Sequence, residues 1–196
     1  MNKIEDNVTS KKIVEISSKY FKGVPTKRDP ELIQTLGDIE LETKMNIKKL
    51  SDVRTILDKI KKVGFSSAIH RTEYHHFFSK DLIAHSVLIL IKDSNEVWIK
   101  IKKDKQQINT PFNNFPILSR HEKKLKPQDP SYLNEFQQTI VSNYIGSFKK
   151  ECLDFFFYYK NLSFVITLSL ADSKHSSLYQ IEFEFAGHKK TKSHPV

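Results

Sequence analysis

The segment Asp38–Lys44 constrains the fold of this chain more than any other stretch. Apolar and polar residues alternate along it, a period that is typical of a β-strand. Glu40, Glu42 and Lys44 therefore project from one face of the predicted strand, and the apolar side chains project from the other. Because adjacent carboxylates repel each other, a face that binds a divalent cation and an anion would use all three charges. An exposed edge strand with an apolar back is the alternative interpretation.

A second acidic segment, Tyr179–Phe185, repeats this pattern near the other end of the chain. Alternation places Glu182 and Glu184 on one face and the apolar and aromatic side chains on the other. If both strands line one confined interior, their four carboxylates repel strongly unless a cation compensates. Mg²⁺ and Mn²⁺ prefer carboxylate oxygens, so the two segments together predict a site for one of these ions.

Basic side chains in the intervening segments supply the opposite charge. Lys100 and Lys102 share one face of a predicted strand, and Lys150 and Arg120 lie on two others. If these side chains point inward, they can hold phosphate oxygens by charge-assisted hydrogen bonds. For each lysine taken alone, a solvated surface position is the alternative. The candidate phosphate-binding residues are Lys44, Lys100, Lys102, Arg120 and Lys150.

The length and composition restrict the class of protein. The chain has 196 residues, which is typical of one domain with a sizeable core. We find no apolar run near the roughly 20 residues that a membrane span requires, and Met1–Asp6 lacks the apolar segment of a secretory signal. The single cysteine, Cys152, excludes an internal disulfide. We therefore expect an intracellular protein that does not enter a membrane.

The net charge points to an anionic partner. The formal charge is +9 and the isoelectric point is near 9.4, which suggests nucleic acid or polyphosphate. The chain has only five glycines, and no Gly-rich phosphate-binding loop can be built from them.

The chain divides into an N-terminal extension, a main domain and a short tail. Residues 1–37 are interpreted as the extension, with a short helix after Ser10 and a linker over Lys22–Pro30. Residues 38–187 are predicted to form the main domain, and residues 188–196 form a basic tail that is expected to be disordered.

Two helices are predicted within the main domain. The first begins at Ser51 or Asp52 and ends at Gly64. The second runs from Ser131 to Gly146. Their predicted apolar faces consist of Val53, Ile56, Leu57, Ile60 and Val63 in the first helix and of Leu133, Phe136, Ile140, Val141 and Tyr144 in the second.

The rest of the main domain is rich in predicted strands. Seven or eight strands with few helices indicate an antiparallel sheet closed on itself, in the α+β class. After the first strand, Asp38–Met45, the predicted strands are Ile69–Phe78, Ala84–Lys92, Glu96–Lys103, Ile117–Lys123, Lys149–Tyr159, Leu162–Ala171 and Leu178–Ala186.

The first acidic segment resembles the signature of a known superfamily. Glu-Leu-Glu-Thr-Lys at residues 40–44 resembles the Glu-x-Glu-x-Lys signature of the triphosphate tunnel metalloenzymes. That resemblance implies an eight-stranded antiparallel β-barrel whose interior binds a metal–triphosphate complex. Two branches of the superfamily compete. The segment Arg71–Phe78 is faintly similar to the third strand of the CYTH branch.

The fungal, protist and viral RNA 5′-triphosphatase branch agrees better in the order of its motifs. That branch has an N-terminal extension, followed by a Lys-Lys-acid-Arg segment, an aromatic-x-Ile-Asp strand and a final Glu-x-Glu pair. The matching segments here are Lys149–Phe155, Phe164–Ser169 and Ile181–Glu184. Three positions depart from the pattern. Cys152 stands where the family has a tunnel arginine, Thr167 where it has an acid, and Gln180 where some members carry a third glutamate.

The resemblance implies a metal-dependent polynucleotide 5′-triphosphatase that removes the γ-phosphate of triphosphate-ended RNA in mRNA capping. It implies that Glu40, Glu42, Glu182 and Glu184 hold Mg²⁺ or Mn²⁺, while the five basic candidates grip the phosphates. It further implies an RNA guanylyltransferase as a partner, in the nucleus for a cellular enzyme and in the cytoplasm for a viral one.

Two alternatives stay open. The tunnel could act on inorganic tripolyphosphate or a small organic triphosphate, as a CYTH-type enzyme would. A catalytically weakened barrel could instead serve as a structural subunit, which the residues at 152 and 167 favour. The eight histidines and Cys152 are interpreted as structural, and Phe155–Tyr159 as a strand buried on both sides rather than a nucleobase platform.

Overall fold

The computed structural model describes residues 32–33, 39–79, 85–91, 96–108, 116–160, 162–172 and 177–189. These residues form nine β-strands and two α-helices. In chain order the elements are β1 (Leu32–Ile33), β2 (Ile39–Ile47), α1 (Leu50–Val63), β3 (Ser67–Ser79), β4 (His85–Ile91), β5 (Glu96–Ile108), β6 (Ile117–Leu125), α2 (Tyr132–Ile140), β7 (Asn143–Tyr159), β8 (Leu162–Asp172) and β9 (Ser177–Lys189).

One curled antiparallel sheet contains all nine of these strands. Its order is β1-β9-β2-β6-β5-β4-β3-β7-β8. β9 pairs along one edge with β2 and β1, and it also pairs with β8, so the sheet bends back toward its own first strands. The predicted antiparallel sheet with flanking helices is confirmed. The sheet has nine strands and not the predicted eight, because Leu32–Ile33, which the prediction placed in the extension, pairs with the end of β9.

The apolar core lies between α1 and the outer face of the sheet. Val53, Leu57 and Ile60 follow the i, i+4, i+7 spacing of one helix face, and each is no more than 4% exposed. They pack against a cluster that includes Phe155 of β7 and Leu168 of β8. Helix α1 therefore covers the outside of the sheet and leaves the inner face to other side chains.

Helix α1 ends at the predicted glycine. Gly64 adopts φ 82°, a conformation that side chains with a Cβ rarely adopt, and its N–H donates to the Ile60 carbonyl at 3.1 Å. The prediction was wrong for Val63, which is 76% exposed. Val63 is the last helical residue, and the chain turns away after it toward β3.

Helix α2 is shorter than predicted. It ends at Ile140, and Gly146, the predicted helix end, lies in β7 opposite Phe77. The reason is a strand partner that the local pattern does not reveal. β3 extends to Ser79, which pairs with Asn143, so the chain becomes extended soon after the helix.

The predicted apolar face of α2 does not pack into the core. Leu133, Ile140 and Val141 are 64%, 48% and 83% exposed. The one residue of α2 that is buried is Thr139, whose hydroxyl donates to the Glu135 carbonyl at 2.7 Å. The contact of α2 with the sheet is therefore narrower than the apolar periodicity predicted.

Other predictions fall at the chain ends. The predicted helix after Ser10, the linker Lys22–Pro30 and residues 190–196 of the predicted tail lie outside the described residues. The prediction of a disordered tail was wrong for His188 and Lys189, which end β9 and pair with Leu32–Ile33. The domain boundaries stay a prediction. Neither α1 nor α2 is long and apolar enough to cross a membrane.

The inner face of the sheet is polar. Glu40 and Glu42 of β2 are 5% and 2% exposed, whereas Ile39 and Met45 on the other face are more than a third exposed. Glu73, Glu122 and other charged side chains are also buried there. Buried charges require partners, so the sheet curls around an interior of paired charges.

Candidate functional site

A cavity of about 230 Å³ lies on the polar inner face of the sheet. Six cationic and four acidic side chains line it, which leaves an excess of positive charge. The lining residues come from seven strands: Glu40, Lys44, Arg71, Glu73, His75, Phe77, Lys100, Lys102, Arg120, Phe148, Lys150, Thr167, Ala171, Gln180, Glu182 and Glu184.

Eight of the nine sequence-predicted site residues are brought together in this lining. The ninth, Glu42, is not among the lining residues. It lies directly behind them, because it is 2% exposed and pairs with the side chains of two lining residues, Lys44 and Arg120. The eight lining residues are Glu40, Glu182, Glu184, Lys44, Lys100, Lys102, Arg120 and Lys150.

The two acidic segments are neighbours in the sheet. β2 and β9 pair so that Lys44 lies opposite Glu182 and Glu42 lies opposite Glu184. Lys44 Nζ is 2.9 Å from Glu42 Oε2 and 3.5 Å from Glu182 Oε2. The lysine therefore neutralises part of the repulsion between carboxylates on the same face.

Glu40 is held between two basic side chains from other strands. Arg120 Nε donates to Glu40 Oε2 at 2.5 Å, and Lys102 Nζ donates to both carboxylate oxygens at 3.1 and 3.2 Å. Burial acts to raise the pKa of Glu40, but Lys102 and Arg120 hold it below its ordinary value. Glu40 is thus ionised in the protein and shares its charge with the phosphate-binding candidates.

Glu122 of β6 organises a cluster of three lysines that the sequence did not link. Its carboxylate lies 2.6 Å from Lys102 Nζ, 2.8 Å from Lys124 Nζ and 3.6 Å from Lys100 Nζ. Burial opposes its ionisation, but Lys100 and Lys102 hold the pKa of Glu122 far below its usual range. The pKa of Lys100 is lowered to about 8, chiefly by burial and also by the charges of Lys124 and Lys102, while Glu122 acts to raise it.

Lys150 and Glu182 form a close pair across the cavity lining. Lys150 Nζ donates to Glu182 Oε1 at 2.6 Å. Although burial raises the pKa of Glu182, the charges of Lys150 and Lys44 lower it to about 2. A carboxylate in this position stays ionised throughout the physiological range.

Arg71 is a lining residue that the sequence did not assign to the site. Arg71 Nε donates to Asp154 Oδ2 at 2.5 Å, and its Nη2 donates to Asp154 Oδ1 at 3.2 Å. Arg71 lies directly opposite Cys152 in the β3–β7 pairing. Asp154 lies opposite Thr167 in the β7–β8 pairing and accepts a hydrogen bond from the Thr167 hydroxyl at 2.7 Å. Strand β3 thus supplies a guanidinium group next to Cys152, and strand β7 supplies a carboxylate next to Thr167.

Glu73 and His75 were also missed, and His75 had been interpreted as structural. His75 Nε2 lies 2.8 Å from Glu73 Oε2, and Glu73 also pairs with Arg71. Burial and the nearby Lys150 and Lys100 lower the pKa of His75 to about 3, so its ring is neutral. The sequence could have predicted these residues, because Arg71, Glu73 and His75 occupy every second position of β3, as the acidic residues do in β2.

Cys152 has the structural role that was expected. It is 1% exposed, and burial raises the pKa of its thiol. The interpretation of the Phe155–Tyr159 segment is also supported at its start, because Phe155 and Phe156 are 0% and 4% exposed. Neither feature belongs to the cavity lining.

The four glutamates are suitable donors for a divalent ion but are not gathered around one point. Among the described residues, no group of three His, Cys, Asp or Glu side chains is placed to hold a metal. Glu40 and Glu182 are instead drawn to basic partners. Glu184 differs, because within the described part of the chain we see no ion pair to it and burial raises its pKa. A cation would offset that cost, so the donor chemistry fits Mg²⁺ or Mn²⁺.

Comparison with known proteins identifies the fold. No protein-family model and no curated protein matches the sequence. Among solved structures, the mimivirus capping-enzyme triphosphatase is similar, with a TM-score of 0.52 and 13% identity over 91% of this chain and 88% of that one. A putative adenylyl cyclase from Hippeastrum, described as having a dominant triphosphatase activity, is also similar. Its TM-score is 0.51, with 10% identity over 74% of this chain and 79% of that one.

These similarities show that the chain shares its fold with these two proteins. The fold that the Glu-x-Glu-x-Lys resemblance implied is therefore confirmed in part, because the antiparallel sheet is present but has nine strands and not eight.

Proposed function

We propose that this protein is a metal-dependent 5′-triphosphatase that removes the γ-phosphate of triphosphate-ended RNA. The observation that carries the proposal is the single cavity in which six cationic side chains face four carboxylates. Cations bind phosphate oxygens, and carboxylates bind the divalent ion that accompanies a polyphosphate. The likeness in fold to the mimivirus capping-enzyme triphosphatase supports RNA as the substrate.

The basic residues perform the phosphate chemistry in this proposal. Lys44, Lys100, Lys102, Arg120 and Lys150 bind the triphosphate and neutralise the charge that develops on the leaving diphosphate. Glu40, Glu182 and Glu184 would hold Mg²⁺ or Mn²⁺, which when bound supplies a Lewis acid to the γ-phosphoryl group. Glu42, which lies behind the lining, would hold Lys44 and Arg120 in place. Arg71, fixed by Asp154, adds a sixth cationic group.

The proposal extends to a partner and a place in the cell. The product is a diphosphate-ended RNA, and the reaction that consumes such an end in capping is guanylyl transfer. We therefore propose an RNA guanylyltransferase as the partner, in the nucleus for a cellular enzyme or in the cytoplasm for a viral one.

The activity is tested with γ-labelled triphosphate-ended RNA and Mg²⁺ or Mn²⁺. Glu40→Gln and Glu182→Gln should each abolish phosphate release, because an amide cannot supply the negative charge that a divalent ion needs. Glu96→Gln is the matched control, since Glu96 accepts the Trp98 indole N–H at 2.8 Å and does not line the cavity. No release by the folded wild-type protein with either metal would rule the proposal out.

Inorganic tripolyphosphate or a small organic triphosphate is the second candidate substrate. The small volume of the cavity and the likeness in fold to the Hippeastrum protein favour this candidate. Competition separates the two, because an RNA enzyme should be inhibited by tripolyphosphate only at concentrations above those of the RNA ends. The reverse order of affinities would assign the protein to the second candidate.

A further inference from the structure

Three aromatic side chains line the cavity beside its charged groups. His75 and Phe148 stack with ring centroids 4.9 Å apart and an interplanar angle of 13°. Phe77 lies 5.2 Å from Phe148 and 6.2 Å from His75. All three rings are part of the lining. We refer to His75, Phe77 and Phe148 as the aromatic platform.

The platform lies next to the phosphate-binding groups because of the strand register. β3 pairs with β7 so that Glu73 is opposite Lys150 and His75 is opposite Phe148. The His75 and Phe148 rings are therefore two residues along the strands from the Glu73–Lys150 pair, a distance of about 6.6 Å. Phe77 is the last lining residue of β3 and Phe148 the first of β7, so the rings form one end of this wall.

The platform is neutral and partly accessible. Phe77 and Phe148 are half-buried, and the His75 side chain is 12% exposed. His75 is neutral because burial and Lys150 lower its pKa. Apart from Ala171, every other lining side chain is charged or polar. The phosphates of a polyanion have no favourable interaction with these rings, so the platform suits a different part of a ligand.

The cavity is too small to enclose a whole nucleoside triphosphate. Pockets that enclose a drug-sized molecule measure roughly 300–1,000 Å³, and this cavity measures about 230 Å³. A nucleoside triphosphate would thus place its phosphates among the cations and its base at the end of the cavity that the rings line. The rings at the end of β3 and β7 are positioned to receive the base.

We propose, on the basis of the proposed function, that the aromatic platform stacks on the first base of a nucleoside-bearing triphosphate. The platform then selects RNA ends or nucleoside triphosphates over inorganic tripolyphosphate. Because every base has a π-face, stacking of this kind tolerates any base identity. The side chains that determine specificity are Phe148 and Phe77, and they act on the substrate without taking part in phosphate chemistry.

The test compares two ligands in calorimetric titrations of the full chain with Mg²⁺ present. One ligand is inorganic tripolyphosphate, and the other is adenosine 5′-(β,γ-imido)triphosphate, which carries a base. Phe148→Leu removes the ring and keeps an apolar side chain. The control is Phe183→Leu, because Phe183 stacks on Phe164 at 5.2 Å outside the cavity lining, between two lining residues of the same strand.

The proposal predicts that Phe148→Leu weakens nucleotide binding roughly ten-fold, in line with the loss of one base–aromatic stack, and changes tripolyphosphate binding less than about two-fold. Phe183→Leu should leave both affinities unchanged. An equal effect of Phe148→Leu on both ligands, or no effect on either, overturns the platform and leaves the triphosphatase intact. Failure of the wild-type protein to bind either ligand overturns both.

A second measurement covers the case in which Phe148→Leu does not fold. The fluorescence of 2-aminopurine riboside triphosphate is followed as it binds to the wild-type protein and to Phe77→Leu. Stacking should quench the fluorescence in the wild-type complex, with weaker quenching in the variant. Binding without quenching in the wild-type protein would contradict the proposal.

Discussion

At the scale of single residues, the cavity is an array of cations held in place by carboxylates. Arg71 is fixed by Asp154, and Lys102 is fixed by Glu40 and Glu122. Such pairs orient the basic groups before a polyanion arrives, so less conformational entropy is lost on binding. Because the cations outnumber the acidic side chains of the lining, the array keeps an attraction for phosphate.

Lys100 is expected to make tripolyphosphate binding depend on pH. A lysine is charged below its pKa, and the pKa of Lys100 is about 8. Its contribution to anion binding is therefore complete well below pH 8 and is lost as the pH rises through that value. The charged groups that act on it are Glu122, Lys124 and Lys102, with a smaller effect from Glu40. Calorimetric titration between pH 6.5 and pH 9.5 should show the affinity falling through this range.

Lys100→Arg is the matched variant for this measurement. Arginine stays charged over the whole range, so the variant should keep its affinity where the wild-type protein loses it. Any dependence that comes from ionisation of the ligand itself is common to both proteins. Identical pH profiles for the two would show that Lys100 does not titrate in this range.

At the scale of elements, α1 stabilises the sheet from outside the cavity. Leu57 is fully buried at the centre of its apolar face. Leu57→Ala should lower the free energy of unfolding by about 2–5 kcal/mol, because it removes buried methyl groups and leaves a cavity. Urea denaturation followed by circular dichroism measures the change.

Val63→Ala is the control for α1. Val63 lies at the exposed end of the same helix, so its truncation should change the free energy by no more than about 0.5 kcal/mol. A large loss at Val63, or none at Leu57, would contradict the packing of α1 described above. The apolar periodicity alone predicts that both residues are buried, whereas the structure buries only Leu57. The two variants therefore test the structure against the prediction from periodicity.

At the scale of the whole molecule, the cavity couples ligand binding to stability. Strands from most of the sheet contribute cations to it, so a bound polyanion connects elements that lie far apart in the chain. At 100 times its dissociation constant, tripolyphosphate should add about 2.7 kcal/mol of stability, which is a rise in Tm of roughly 5–10 °C for a chain of this size.

Differential scanning calorimetry measures this shift, with orthophosphate as the control ligand. Orthophosphate spans fewer of the cations and should raise the Tm much less at equal concentration. Arg120→Gln combined with Lys150→Gln should reduce the effect of tripolyphosphate. A Tm that does not respond to tripolyphosphate would instead favour a purely structural role for the sheet.

The sequence by itself determined which residues share a face of each strand. Side-chain direction alternates with every residue, so Glu40, Glu42 and Lys44 could be assigned to one face before any partner strand was known. The same rule applied to Glu182 and Glu184. The limits of β2 and α1 were also predictable within one or two residues, because local periodicity and Gly64 mark them.

Only the tertiary structure decided which strands are neighbours and in what register. The pairing of Arg71 with Asp154 joins residues 83 positions apart, and the stack of His75 on Phe148 depends on the same β3–β7 register. The early end of α2 depends on it too, since Ser79 supplies the partner for Asn143. Strand pairing is a long-range interaction whose register the alternation within one strand does not specify. For that reason the two acidic strands were predictable, whereas the arrangement of charges and rings around them was not.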